Sequence, residues 1–138
     1  MSKAKLLVVD DEVEFATTLA ERLNIRGFET TACFCTEDAM ALIHAKDIPD
    51  VVLLDLKMPR MDGMETLREI KKYNPTIEVI MLTGHGAGIP LTGIDGAKRD
   101  FFDCVLKPVE INDLTRKINQ AVAKRQAALK KGGMNESA

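Results

Sequence analysis

The chain lacks an excess of either charge, a long apolar run and a cysteine framework, and each absence closes a class of function. Lys and Arg number 19 and Asp and Glu 21 in 138 residues, a formal charge of −2. A dedicated nucleic-acid binder normally carries a strong basic excess, so this balance argues against one. The longest apolar runs are four or five residues, residues 6–9 and 79–82 among them. A membrane helix needs about 20, so membrane insertion is not expected. Lys3 and Lys5 lead through four apolar residues straight into Asp10-Asp11-Glu12, too short a stretch for a secretory signal. Cys33, Cys35 and Cys104 are an odd three without metal-ligand spacing. They fit free thiols in a reducing cytosol. No internal repeat or low-complexity segment is present. The expectation is one cytoplasmic domain, long enough to bury a core.

What the sequence does contain is an alternation of two periods. Residues 5–9, 28–32, 51–54, 77–82 and 102–106 are rich in Val, Ile, Leu and Phe and read as strands. Three of them, at 6–9, 51–54 and 79–82, are apolar at consecutive positions, the pattern of strands covered on both faces. Between the strands, Phe15, Leu19 and Leu23 recur at helical spacing, and Gly27 stands where a helix should end. Thr36 is placed to cap a helix whose inner face is Ala39, Leu42 and Ile43. Asp62 through Glu65 has capping-box spacing ahead of Met64, Leu67 and Ile70, and Ile111, Leu114, Ile118 and Val122 mark a last amphipathic helix. Five strands alternating with helices predict an α/β, doubly wound parallel sheet. The stretch 84–96 holds five of the nine glycines plus Pro90, so any helix there is expected to be short or irregular. Residues 132–138 have no apolar period and are expected to fray.

Acidic residues stand where such a sheet binds its ligands. Asp10 and Asp11 follow the first strand and Asp55 ends the third. In open α/β sheets ligands bind outside the carboxyl ends of the strands, where the strand order reverses. If the order is 2-1-3-4-5, the first and third strands are neighbours there and three carboxylates converge. Their mutual repulsion is relieved by a divalent cation, and all-oxygen ligands select a hard one such as Mg²⁺. Thr83 and Lys107, at the ends of the fourth and fifth strands, reach the same rim. A hydroxyl, an ammonium and Mg²⁺ around a carboxylate make a phosphoryl site, with Asp55 as nucleophile. Taken singly, each of these residues has a plain reading as a loop, cap or surface residue; Glu12 and Asp62 receive only that. Their joint placement at four strand ends favours chemistry.

The runs Val8-Val9-Asp10-Asp11-Glu12, Leu53 through Gly63, Leu82-Thr83-Gly84-His85 and Leu106-Lys107-Pro108 together resemble the signatures of response-regulator receiver domains. The resemblance implies a flavodoxin-like fold of strand order 2-1-3-4-5. It covers residues 4–124 and leaves 125–138 as a helix extension with a flexible tail. It implies that Asp55 is the phosphoacceptor and that Asp11, Asp10, Asp55 and the Lys57 carbonyl hold Mg²⁺. Thr83 is then the switch hydroxyl, Lys107 the phosphoryl-binding lysine, and the N–H groups of Lys57 and Gly84 complete a phosphoryl cradle. Pro108 matches a proline commonly cis in the family, and His85 flanks the phosphoryl position. The implied partners are a sensor histidine kinase or histidine phosphotransfer protein, a downstream protein bound through the 84–122 face, and a second copy on phosphorylation.

Two features depart from the family pattern. Cys104 stands where receivers usually carry Tyr or Phe, and residues 84–100 are longer and richer in glycine. Lys117, Lys124, Arg125, Lys130 and Lys131 read as a solvated basic helix face, and His44 as a helix-surface residue. Two rival functions are weighed. A Mg²⁺-dependent aspartyl phosphohydrolase would place a second Asp two residues after the nucleophile, where Lys57 stands. A receiver-shaped module without phosphorylation sits poorly with an intact Asp11, Asp55, Thr83 and Lys107.

Overall fold

Consecutive apolar residues and helical stripes assemble into one five-stranded parallel sheet in a computed structural model, which describes residues 3–45, 48–56, 62–84 and 101–137. The strands are β1 (Lys5–Val9), β2 (Glu29–Cys33), β3 (Val51–Asp55), β4 (Glu78–Thr83) and β5 (Asp103–Leu106). The helices among the described residues are α1 (Val13–Ile25), α2 (Thr36–His44), α3 (Gly63–Tyr73) and α4 (Ile111–Ser137). The sheet order is β2-β1-β3-β4-β5, every pair parallel, as the resemblance implies. This is the α/β, doubly wound flavodoxin-like architecture.

Alternation along each strand decides which helices it holds. Leu6, Val8, Leu53, Ile80 and Leu82 join a core with Ala16, Leu19 and Leu23 of α1 and Leu114, Ile118 and Ala121 of α4. Leu7, Val9, Val52, Leu54, Val79 and Met81 point the other way, onto Ala39 and Ile43 of α2 and Leu67 and Ile70 of α3. Strands β3 and β4 are buried at every position, whereas edge strand β2 is only partly covered. Truncating one of the central leucines would cost about 2–5 kcal/mol.

The helix ends mostly follow local rules. Helix α1 stops at Gly27, whose φ of +101° suits glycine, and the Phe28 N–H folds back onto the Leu23 carbonyl at 3.2 Å. Asp62 caps α3 by accepting the Met64 N–H at 3.0 Å. Thr36 does not cap α2. The cap position is Cys35, and the Thr36 hydroxyl lies 2.8 Å from that of Thr66, a buried tie between α2 and α3. Helix α4 continues through Gly132 and Gly133 to Ser137 where fraying is expected. Each glycine weakens a helix by about 1 kcal/mol without breaking its geometry, and residues 126–131 before them are strong helix formers.

Arg125 also departs from its sequence reading. It is buried, not on a solvated face. Its guanidinium donates to Asp50 Oδ1 at 2.7 Å and to Thr76 Oγ1 at 3.3 Å. This pins α4 to the N-terminal ends of β3 and β4.

Candidate functional site

The parallel register brings the acidic residues together. Val9 lies beside Leu54, so Asp10 and Asp55 emerge on adjacent strands at the same edge. Asp10 is held in place by its own turn: its N–H donates to the Cys33 carbonyl at 3.1 Å, and its Oδ1 accepts the Glu12 N–H at 2.9 Å. Ligand oxygens of Asp10, Asp11 and Asp55 lie within 4.8 Å of one another, with Asp10 and Asp55 buried and Asp11 exposed. Beyond Asp55 the Leu56 N–H still donates to the Leu82 carbonyl at 2.8 Å, which keeps β3 in register with β4 to its last residue.

Thr83 and Lys107 complete the rim. Thr83 ends β4, is 1% exposed, and its hydroxyl contacts the Gly84 carbonyl at 3.2 Å. Its own carbonyl accepts the Lys107 N–H at 2.8 Å. The Lys107 ammonium stands 2.7 Å from Asp10 Oδ2, 2.8 Å from Glu12 Oε1 and 3.8 Å from Asp55 Oδ1. It also lies 4.4 Å from the centre of the Phe15 ring. Burial works against its charge, but the close contacts with Asp10 and Glu12 and the fields of Asp10 and Asp55 outweigh it and raise its pKa. The lysine therefore stays cationic where a phosphoryl group would need it. The Lys107–Pro108 peptide is cis.

Among the described residues, four carboxylates face one ammonium. Asp10 Oδ2 is buried and accepts no hydrogen bond, because the ammonium 2.7 Å away lies outside hydrogen-bonding geometry. A buried carboxylate oxygen in that condition, within a set of three carboxylates, fits a hard divalent cation.

Of the residues singled out from sequence, Asp10, Asp11, Asp55 and Lys107 converge, and Thr83 and Gly84 stand on the adjoining strand end. Cys104 pairs with Met81 in the sheet and packs against the core under α2 and α3. Lys57, His85 and the glycine-rich stretch 84–96 beyond Gly84 lie outside the described residues. Three site contributors escape sequence reasoning. Glu12 and Phe15 both touch Lys107, although one reads as loop solvation and the other as core stripe. Gly63 packs so closely on the turn after Asp55 that a Cβ there would fall 2.6 Å from the carbonyl oxygens of Asp55 and Leu56. Its place directly after a capping Asp was the available signal, and it spoke only of a helix start.

Comparison with known proteins agrees with this geometry. Residues 6–119 match the model of the response regulator receiver domain. The transcriptional regulatory protein ZraR of Salmonella typhimurium is 33% identical over 121 residues, covering 88% of this chain and 27% of that one; the chain thus spans about a quarter of that relative. The structure of a response regulator receiver domain protein from Clostridium thermocellum superposes with a TM-score of 0.80 at 36% identity, covering 91% of this chain and 98% of the other. That of the adenylate cyclase from Rhodopirellula baltica gives 0.89 at 25% identity, with 99% of both chains covered. With a matching family model over most of its length and the acidic pocket at the expected strand ends, the chain belongs to the response regulator receiver domain family of two-component signalling.

Proposed function

We propose that Asp55 accepts a phosphoryl group from a histidine kinase or histidine phosphotransfer protein in the cytoplasm. A carboxylate oxygen of Asp55 forms a bond to phosphorus as the bond from phosphorus to the donor imidazole nitrogen breaks, and the electron pair leaves with the imidazole. Asp10, Asp11, Asp55 and the Lys57 carbonyl would hold Mg²⁺, which supplies charge neutralisation at the incoming phosphoryl oxygens. Lys107 binds one of those oxygens, the Thr83 hydroxyl another, and the N–H groups of Lys57 and Gly84 the remainder. The same groups support slow hydrolysis, so the protein acts as a signalling phosphoacceptor and not as a turnover enzyme. Readout passes to a downstream protein through the 84–122 face, with His85, Cys104 and Pro108 tuning the switch and a homodimer forming on phosphorylation.

The observation that carries this reading is the pocket of three carboxylates with Lys107 at its mouth. A small acyl-phosphate donor with Mg²⁺ should add one phosphoryl mass to the intact chain. EDTA or Asp55→Asn should abolish the adduct. Full labelling of Asp55→Asn would overturn the assignment, and catalytic consumption of donor without adduct would favour a phosphohydrolase.

A further inference from the structure

Glu12 occupies the N-cap position of α1, yet its side chain caps nothing. It reaches 95 residues along the chain to Lys107, with Oε1 at 2.8 Å from Nζ, nearer than Asp55 Oδ1 at 3.8 Å. The two partners differ in setting. The Lys107 side chain is 15% exposed and that of Glu12 63%, so the lysine is enclosed by the fold and the glutamate closes on it from solvent. Asp10 and the Phe15 ring take up further sides of the ammonium. An ammonium has three protons to donate, and a phosphoryl group on Asp55 needs at least one of them.

We infer that Glu12 is a positioning residue that competes with the phosphoryl group for Lys107. The inference rests on the phosphoacceptor reading above. In the resting protein Glu12 draws the ammonium toward the α1 side of the site and away from Asp55. On phosphorylation the exposed carboxylate yields its place and returns to water at little cost. Only the glutamate of this pair faces solvent, and water screens the pair from that side, so the competition is gentle. Removing it should tighten binding of a phosphoryl analogue by about 2- to 5-fold.

Beryllofluoride binding to the full chain at saturating Mg²⁺, measured by calorimetry, tests this in the wild type, Glu12→Gln and Glu14→Gln. Glu14 lies in the first turn of the same helix, so its substitution removes an equal charge but not the clasp. Glu12→Gln should bind the analogue about 2- to 5-fold more tightly, and Glu14→Gln less than half as strongly affected. Equal tightening in both variants, or none in Glu12→Gln, overturns the inference. Without Mg²⁺ or analogue, NMR of lysine-labelled protein should show the Lys107 ε-methylene resonance moving in Glu12→Gln and still in Glu14→Gln. An unmoved resonance in Glu12→Gln also overturns it. Failure of the wild type to bind beryllofluoride would instead sink the phosphoacceptor reading, and the resonance would still decide whether Glu12 holds Lys107.

Discussion

The two ends of the sheet use the same residue types to opposite effect. At the N-terminal end, Asp50 receives Arg125 at 2.7 Å on one oxygen and the Lys5 N–H at 2.9 Å on the other. Buried Glu78 has Lys124 at 3.5 Å. Two carboxylates meet two cations there. At the C-terminal end, among the described residues, four carboxylates cluster around the Lys107 ammonium, and a buried oxygen of Asp10 accepts no hydrogen bond. A closed charge account holds helix α4 onto the fold. An open one is a demand for a ligand, because uncompensated buried charge is unfavourable until a cation arrives.

The contrast predicts opposite outcomes for removing charge at the two ends. The largest effect belongs to Arg125→Met, which strands Asp50 without its guanidinium. Breaking a buried pair from one side costs about 3–5 kcal/mol, so a destabilisation near the lower figure is expected in urea unfolding, since the Lys5 N–H remains. A loss below about 1 kcal/mol would place Arg125 among ordinary surface residues.

At the other end Asp10→Asn should stabilise the metal-free protein by about 1 kcal/mol, by relieving like-charge repulsion, while Mg²⁺ affinity falls at least about tenfold. The amide can still accept the Glu12 N–H, so the turn survives. Destabilisation in the absence of Mg²⁺ would show that the two ends are not electrostatically distinct.

The smallest effect concerns Cys33, whose carbonyl receives the Asp10 N–H. Burial, then the charges of Asp38 and Cys35, push its thiol up from 9.0 to about 12. The unfolded thiol loses its proton near pH 9 and the folded one does not, so stability is intact below pH 9 and declines as pH rises toward 12. Over the first unit the loss is about 1 kcal/mol. Comparing wild type with Cys33→Ala between pH 9 and 10 isolates it; identical slopes would remove Cys33 from the account. Across the same range thiol reagents should modify Cys33 last.

Much of this was legible along the chain. The central strands announced themselves as unbroken apolar runs because both faces are covered. The acidic site was readable because Asp10, Asp55, Thr83 and Lys107 each stand at or just past the end of such a run. Thr36 shows where local rules fail. Its hydroxyl had a partner 30 residues away that competed with the cap, and no pattern within α2 could reveal it.

The sequence by itself determined the order of elements, the faces of the helices and the acidic character of one sheet edge, since period and strand-end position are local properties. Tertiary structure alone decided which charges are satisfied. Strand-end position singles out Lys107, but nothing local to Arg125 or Lys107 says which carboxylates each will meet. Their partners lie 75 and 95 residues away, and only the parallel register and the packing of α4 bring one cation to a matching carboxylate and leave the other outnumbered.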